Sequence, residues 1–264
     1  MKDIISAINN WLTQDQRPIA LATVVQTWGS APRKVGGKMA FTADGHISGS
    51  VSGGCVEGAV IEAGQEVLAT GVPQLLHFGV ADETAWEVGL ACGGTIDVFV
   101  EQLDREAYAL LHEIVQKDQA GHCVTVLRGA DDLVGKKWVG ERNGRSLNQL
   151  PPSLTNQLSP LPPSSQRLQL ADGTELFVEQ FHPAPTLIMV GGVHIAVTLT
   201  SMAKTLGFRT IVIDPRRAFG SDDRFPHADQ LLTLWPQKAF TELAITPETA
   251  VALLTHDPKI DDPA

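Results

Sequence analysis

Cysteine is scarce in this sequence, and its distribution argues against two common uses of the residue. The 264 residues include three cysteines, Cys55, Cys92 and Cys123, with no C-x-x-C pair among them. So small and odd a number argues against a disulfide framework, and the missing C-x-x-C spacing argues against a structural zinc site. We therefore expect free thiols in a reducing compartment.

Positive charge is also in short supply, and long apolar runs are absent. The chain has 20 Lys and Arg residues against 30 Asp and Glu, a formal net charge of -10. This balance argues against nucleic acid or an anionic membrane as a partner, because both require a broad basic surface. No apolar run approaches the roughly 18 residues of a membrane span, and the N-terminal segment lacks the apolar core of a signal peptide. We expect a cytoplasmic protein that holds only a small anion, gripped locally.

The apolar spacing predicts an α/β protein, with an N-terminal mixed α/β domain and a C-terminal partial Rossmann-like parallel sheet. In the N-terminal part, apolar residues at helical spacing predict helices near residues 4–14 and 56–67. Strands are predicted in P-I-A-L-A-T-V-V-Q-T-W and T-I-D-V-F-V-E, and a hairpin at Asp44-Gly45. Near the C-terminus, short apolar strands alternate with helices, which is the pattern of a parallel, doubly wound sheet.

Composition divides the chain into three segments. Residues 1–140 are predicted to form the mixed α/β domain, 141–184 a connecting arm, and 185–264 the Rossmann-like domain. The arm is predicted because Pro, Ser, Asn and Gln are concentrated there, with five prolines between positions 151 and 163. A hairpin around Asp172-Gly173 is expected within it.

Two of the cysteines stand beside glycine pairs, in S-V-S-G-G-C-V-E at 50–57 and A-C-G-G-T at 91–95. Cys55 lies at or just before the first turn of the second predicted helix, where free backbone amides and the helix dipole favour a thiolate. Gly53 and Gly54 can turn their amides towards an anion. Cys92 precedes a strand, at the turn Gly93-Gly94.

A glycine-rich loop, G-S-A-P-R-K-V-G-G-K at 29–38, adds the basic residues Arg33, Lys34 and Lys38. In an acidic chain this loop is the best candidate for a local phosphate grip. Buried free cysteines and turn glycines are common, so each motif alone also fits a structural role. Two glycine-flanked cysteines and a basic loop in one domain favour a ligand site. By contrast, Cys123 is expected to be structural, and His46 and His77 to be turn or surface residues.

The C-terminal segment has the context of a dinucleotide site but not its glycine pattern. Gly191 and Gly192 follow a strand and precede a helix, where Rossmann proteins bind a pyrophosphate. Asp214 ends the next strand 23 positions after Gly191, near the offset of a ribose-binding acid. However, Val193 and Ala196 stand where the second and third glycines of G-x-G-x-x-G belong, which argues against NAD(P) binding.

Together these motifs resemble the XdhC/CoxI family, accessory proteins of xanthine and carbon monoxide dehydrogenases. The resemblance rests on G-S-A-P-R-K-V-G-G-K-M, G-S-V-S-G-G-C-V-E, L-A-C-G-G-T-I-D-V and G-F-R-T-I-V-I-D-P-R-R-A-F. It covers most of residues 1–120 and the chain from about 185 onwards. It implies an accessory chaperone that binds molybdenum cofactor (molybdopterin) transiently, supports its sulfuration by a cysteine desulfurase, and inserts it into a molybdenum hydroxylase such as xanthine dehydrogenase.

Carried over by position, the resemblance makes Cys55 the cysteine of G-G-C-V-E and Cys92 the cysteine of C-G-G. The sequence leaves open whether Cys55 ligates the metal, carries sulfur as a persulfide, or only shapes the loop. In the Rossmann-like domain, Gly191 and His194 match the family's G-A-G-H-V-G, whereas its middle and final glycines are lost. Family members continue beyond the position of Ala264. Such a half-sheet would leave apolar faces uncovered, so we expect a homodimer or pairing with another chain.

Two other functions compete with that of a cofactor carrier. An NAD(P)-dependent oxidoreductase would use the Rossmann-like domain, with Asp214 on the ribose. A docking module without a ligand would need neither the cysteines nor the glycine loops. A cofactor carrier, which acts without turnover, requires Cys55 and Cys92 to lie at one pocket. The positions of the two cysteine loops therefore discriminate among the three candidate functions.

Overall fold

The chain folds into two compact units, Met1–His182 and Pro183–Ala264. The computed structural model describes residues 1–14, 17–79, 93–141 and 144–264. The first unit contains two five-stranded antiparallel sheets, and the second contains a four-stranded parallel sheet. The predicted fold class, a mixed α/β region followed by a Rossmann-like parallel sheet, is confirmed.

Helices cover both faces of the first sheet. Its strands are, in chain order, β1 (Ile19–Trp28), β2 (Lys38–Thr42), β3 (Ile47–Gly49), β4 (Gln74–Phe78) and β5 (Thr95–Gln102), arranged β3-β2-β1-β5-β4. Helix α1 (Lys2–Gln14) precedes β1, and α2 (Glu57–Thr70) lies between β3 and β4. The two helices lie on opposite faces, because α2 packs on Ala20 and Phe41 and α1 on the alternate residues Leu21 and Ala40. Helix α2 packs closely on the sheet, because a side chain at Gly64 would collide with the Phe41 ring. The predicted apolar stripe of α2 is confirmed, since its members are buried: Val56, Val60, Ala63 and Val67.

The second sheet follows in the same unit. Helix α3 (Arg105–Gln116) leads into β6 (Gly121–Arg128), and the sheet continues with β7 (Lys137–Glu141), β8 (Ser146–Leu147), β9 (Gln166–Gln169) and β10 (Glu175–Phe181), arranged β8-β7-β6-β10-β9. The one-turn helix α4 (Pro152–Thr155) lies between β8 and β9. Helix α3 begins with a side-chain cap, because the Asp104 carboxylate accepts hydrogen bonds from the Glu106 and Ala107 amides.

The stretch 141–184 differs from the connecting arm that its composition predicts. Strand β10 pairs with both β6 and β9, and it therefore lies inside the second sheet rather than outside the domain. Leu154, Leu158 and Leu176 are buried in the core of that sheet. The prolines and serines occupy the connection between β8 and β9, and their composition hides the short strands that follow. The hairpin at Asp172-Gly173 is confirmed, with a positive φ of 86° at Gly173.

The two sheets of the first unit repeat each other. Their strand orders are identical if each strand of the second sheet is equated with the strand five places earlier. Strand registers agree as well: Thr23 pairs with Lys38 on one side and Phe99 on the other, and Thr125 pairs with Lys137 and Phe177 in the same way. The sequence F-V-E-Q occurs in both β5 and β10.

The turn that leads into the second strand of each sheet is also repeated. Val24 exchanges backbone hydrogen bonds with Gly36 and Gly37, and Val126 does so with Gly135 and Lys136. Gly36 and Gly135 have φ angles of 86° and 82°. Matching order, register and turn geometry identify the first unit as an internal duplication.

Charged residues of the two halves pair across the space between the sheets. Lys38 of the first sheet lies 2.9 Å from Glu179 of the second, and Lys137 of the second lies 2.7 Å from Glu101 of the first. Burial opposes the charge on Lys137, but the Glu101 carboxylate outweighs it and raises the pKa of Lys137. Pairing of this kind is required because an isolated buried charge is strongly destabilising.

The second unit is the predicted parallel sheet. Its elements are β11 (Thr186–Val190), α5 (His194–Thr205), β12 (Arg209–Ile213), β13 (Gln230–Leu232), α6 (Pro236–Glu242), β14 (Thr249–Leu253) and α7 (Pro258–Asp261), with strand order β13-β12-β11-β14. Apolar side chains remain exposed on α5, at Ile195 and Met202, at Leu206 directly after that helix, and on β14, at Val251 and Leu253. In the part of the chain that is described, no helix is long and apolar enough to cross a bilayer.

Candidate functional site

Two loops meet where β1 ends and β5 begins. Trp28 pairs with Thr95, so the residues after β1 adjoin the residues before β5. A Cβ on Gly94 would lie 2.6 Å from the Trp28 carbonyl oxygen and closer still to that of Ser30. Only glycine fits at this close approach of two backbones. The Gly93-Gly94 turn is therefore held directly against the start of the glycine-rich loop 29–37.

The Cys55 loop adjoins the same segment from another direction. A Cβ on Gly53 would meet the Pro32 Cβ at 3.6 Å, an ordinary van der Waals contact. Segment 29–37 thus packs against the Gly93-Gly94 turn at Gly29 and Ser30, and its Pro32 lies close to Gly53 of the Cys55 loop. We call this edge of the first sheet, formed by residues 29–37, 50–57 and 93–95, the three-loop edge. Cys92 lies outside the described residues, so its predicted meeting with Cys55 stays a prediction.

Cys55 lies at the position that the sequence predicts. It is partly exposed and comes two residues before α2, whose N-cap is Val56. Part of its side chain packs on the core between α2 and the first sheet. Cys123, in contrast, is a buried residue of β6, and burial raises the pKa of its thiol. Of these two free cysteines, only Cys55 is accessible to a ligand.

The amides of the Cys55 loop do form an anion nest, but Glu57 fills it. Oε1 of Glu57 accepts from the Ser50 hydroxyl at 2.6 Å and from three amides, those of Val51, Ser52 and Gly53, at 3.2, 2.9 and 3.1 Å. Oε2 accepts from the Ser52 hydroxyl and, at 2.8 Å, from the Gly54 amide. Burial opposes the charged form, but these hydrogen bonds outweigh it and lower the pKa of Glu57 to about 2. The nest predicted to bind an external anion thus holds a carboxylate of the chain itself.

The basic residues predicted to bind a phosphate are arranged differently in the structure. Lys38 is buried, and its ammonium group donates to Thr23 and Glu179. It therefore faces the second sheet and not the loop. Arg33 donates to the Asp3 carboxylate at 2.6 Å. Lys34 is exposed. Within the described ranges, His, Cys, Asp and Glu form no group of three or more that could hold a metal.

Trp28, the last residue of β1 and the one directly before this edge, is a residue that sequence reasoning missed. Its side chain is 70% exposed, an uncommon state for a large aromatic residue, and it stands directly before Gly29. A planar apolar surface of this kind can stack on a heteroaromatic ring. The signal in the sequence was a tryptophan next to a glycine-rich loop.

His77 is a second missed residue, because nothing in the sequence indicates its partner. It is 64% exposed on β4, and its Nδ1 contacts the Asp97 carboxylate on β5. Asp97 is held in turn by Arg167, which also pairs with Glu175 of the second sheet. A Cβ on Gly79 would lie 3.4 Å from Nε2 of His77, so the ring extends towards the residue that follows β4. The Asp97 contact fixes an exposed imidazole that would otherwise rotate freely.

In the second unit, the glycines before α5 serve close packing. Gly191 has a φ of 111°, and a side chain there would collide with Thr255. A side chain at Gly192 would collide with the Phe219 carbonyl group. His194, the first residue of α5, is exposed.

Asp214 is buried and fully engaged by the chain itself. Its carboxylate accepts hydrogen bonds from the Gly192 amide at 2.8 Å and from the Arg216 amide, Nε and terminal nitrogen at 2.9, 2.9 and 2.8 Å. Burial would raise the pKa of Asp214, but the hydrogen bonds from Arg216 and Gly192 outweigh it and lower that pKa. The carboxylate that would bind a ribose hydroxyl therefore already has four donors.

The two halves of the first unit differ in length at the three-loop edge and at the corresponding region of the second half. In the first half, α2 has 14 residues, whereas the corresponding α4 has four. Residues 79–94 connect β4 to β5, whereas residues 170–174 suffice between β9 and β10. Both glycine-flanked cysteines lie in or beside these longer connections. The longer elements of the first half therefore distinguish the three-loop edge from the corresponding region of the second half.

Comparisons with known proteins match separate family models to the N-terminal and C-terminal parts of the chain. A model of the XdhC and CoxI family matches residues 12–79, which include the glycine-rich loop and Cys55, and a model of the XdhC Rossmann domain matches 187–264. The chain is 28% identical over 249 residues to a protein of Bacillus subtilis (strain 168) described as a probable subunit of xanthine dehydrogenase, over 93% of this chain and 74% of that protein. It is 34% identical over 100 residues to the molybdenum cofactor insertion chaperone PaoD of Escherichia coli (strain K12), over 38% of this chain and 30% of that protein.

The fold is similar to that of a solved protein. The crystal structure of a xanthine dehydrogenase from Bacillus halodurans superposes with a TM-score of 0.72 at 22% identity, covering 97% of this chain and 76% of that one. This likeness concerns the fold alone. The two family matches follow each other in order, and together they span more than half of the sequence. The chain therefore belongs to the XdhC/CoxI family.

Proposed function

We propose that this protein is an accessory factor that binds molybdenum cofactor at the three-loop edge and delivers it to a molybdenum hydroxylase of the xanthine dehydrogenase type. The observation that carries the proposal is that segment 29–37 lies close to the Cys55 loop and packs against the Gly93-Gly94 turn. Support comes from two relatives, one described as a probable subunit of xanthine dehydrogenase and the other as a molybdenum cofactor insertion chaperone.

The residues of the edge fit the cofactor's chemistry. Molybdenum cofactor supplies a molybdenum centre held by a sulfur-bearing pterin with a phosphate group. Cysteine sulfur is a soft ligand that suits such a metal or a transferred sulfur, and Cys55 offers one on a partly exposed loop. Trp28 offers a stacking surface for the planar pterin. The Cys55 nest is filled by Glu57 and Lys38 is buried, so neither can bind the phosphate of the cofactor. The basic residues that remain to contact it are Lys34 and Arg33.

We also propose how the cofactor receives its sulfur and which proteins bind this chain. A cysteine desulfurase would bring sulfur to the cofactor while the three-loop edge shields it from water. The protein would act as a carrier and not turn over a substrate. A homodimer is proposed for the second unit, supported by the exposed apolar side chains of α5 and β14.

The alternative of an NAD(P)-dependent oxidoreductase finds no support in the second unit. Asp214 already accepts four hydrogen bonds, and the backbone beside Gly192 is packed against Phe219. We therefore propose that this unit binds no dinucleotide. Thermal-shift titration with NAD and NADP tests this, because saturation of a true site would stabilise the fold.

The cofactor proposal is tested by measuring bound pterin. The full chain is expressed in cells that make molybdenum cofactor, purified, oxidised, and assayed for the fluorescent pterin product. Wild type should release pterin above an unrelated control protein, and Cys55→Ala should release much less. Cys123→Ala is the matched thiol control and should release as much as wild type. Pterin content at background in wild type, or unchanged in Cys55→Ala, would reject the site.

A further inference from the structure

The contacts of Glu57 surround Cys55 from both sides. On the N-terminal side, the Gly54 amide donates to Oε2 of Glu57 at 2.8 Å. On the C-terminal side, the Val56 amide donates to the Ser52 hydroxyl at 3.0 Å, and that hydroxyl donates to the same Oε2. The residues before and after Cys55 are therefore both held by one carboxylate oxygen.

The backbone of this loop needs such an anchor. Gly53 and Gly54 have φ angles of 80° and 119°, in the region that favours glycine. The amides of Val51, Ser52 and Gly53 all point at Oε1 of Glu57. Amides that converge on one point are held together by a negative charge there, and without it they lose their common partner.

We propose that Glu57 is a positioning residue, which fixes the direction of the Cys55 thiol by filling the loop's anion nest from within the chain. This role at the cofactor rests on the proposed function, whereas the effect on the thiol's accessibility does not. The nest thereby acts as a fixed support for the cysteine instead of a phosphate site. An external anion that the loop amides of residues 51–54 would attract is excluded from them by Glu57.

A test uses Glu57→Ala in the full chain, with alkylation of Cys55 by iodoacetamide followed by peptide mass spectrometry. Peptide resolution separates Cys55 from the other two cysteines. The Ala variant should alkylate about fivefold faster, because the loop opens more often, and it should retain less pterin. Formate is small enough to enter the vacated nest, so adding it should slow alkylation back towards the wild-type rate. Glu62→Ala, on the exposed face of the same helix, is the matched control and should behave as wild type.

Two more variants keep the test decisive if Glu57→Ala does not fold. Glu57→Gln keeps the shape of the side chain but replaces an acceptor by a donor facing the amides, so it should also alkylate faster. Glu57→Asp keeps the charge and should restore part of the wild-type rate. Wild-type alkylation in both Ala and Gln variants would overturn the proposal. So would faster alkylation that formate leaves unchanged in a variant of wild-type melting temperature.

Pterin content separates this proposal from the proposed function. Low pterin in Cys55→Ala but wild-type pterin and alkylation in Glu57→Ala would overturn the positioning role and leave the function standing. Formate-reversible alkylation in Glu57→Ala, with pterin unchanged in both variants, would confirm the positioning role and reject the cofactor site.

Discussion

On the proposed function, single side chains at and beside the three-loop edge should set how tightly the pterin is held, and Trp28 is the clearest case. Stacking on an aromatic side chain contributes about 1–3 kcal/mol, so Trp28→Ala should weaken pterin retention by about fivefold or more, whereas Trp28→Phe should retain most of it. The measurement is the pterin that survives repeated dilution and filtration. Trp235→Ala removes another exposed tryptophan, 52% accessible in the second unit, and should have no effect. Equal losses from both tryptophan variants would contradict a stacking role.

Asp214 should make the second unit sensitive to acid. Its pKa is lowered in the folded state, so its contribution to stability is fully present above the usual aspartate pKa of about 4 and is lost as the pH falls through the lower folded value. Asp214→Asn should therefore be less stable than wild type at neutral pH, and the difference should shrink below a pH of about 4. Hydrogen exchange of β12 peptides across this range measures it. Asp222→Asn, at an exposed position, is the control; a difference that does not depend on pH would contradict the assignment.

At the scale of strands and helices, the duplicated ion pairs join the two sheets. Lys137→Met should destabilise the first unit by about 3–5 kcal/mol, because it leaves the Glu101 carboxylate buried without its partner. Replacing both members, in Lys137→Met with Glu101→Leu, should recover most of that loss. Lys117→Met is the surface control, since its pair with Glu113 is exposed and should contribute little to stability. Urea unfolding measures all three, and a loss in Lys137→Met no larger than in the control would contradict a structural role for the pair.

Elements with a strong local pattern could be predicted from the sequence, and elements without one could not. The stripe from Val56 to Val67 indicated α2, and Asp44-Gly45 indicated the β2–β3 hairpin, because period and turn chemistry are local properties. The hairpin that contains β10 was predicted, but the proline-rich composition before it hid the fact that β10 lies inside the second sheet, although F-V-E-Q had already occurred in β5. Register across two sheets depends on long-range pairing, which composition does not encode.

The same limit applies to the candidate site. The position of Cys55 before α2 follows from the sequence, because glycines and the helical stripe fix it locally. The partner of each charge does not: Glu57 turned out to fill the nest, and Lys38 to pair with Glu179 on a strand 141 residues away. A sequence shows which charges exist, whereas their partners are set by tertiary packing.

At the scale of the whole molecule, the two units have different relations to the proposed cofactor. The three-loop edge belongs to the first unit, where the longer connections of one duplicated half supply Cys55 and the Gly93-Gly94 turn. The second unit has a Rossmann-like sheet whose glycines and Asp214 are engaged in internal packing. We therefore assign cofactor binding to the first unit alone.

Hydrogen exchange of the full chain, purified with and without molybdenum cofactor, tests that assignment most directly. Cofactor should slow exchange in peptides that contain residues 29–37, 50–57 and 93–95, and leave the peptides around 191–194 unchanged. Protection confined to 191–194, or absent from all three loops of the edge in protein that contains pterin, would contradict the account.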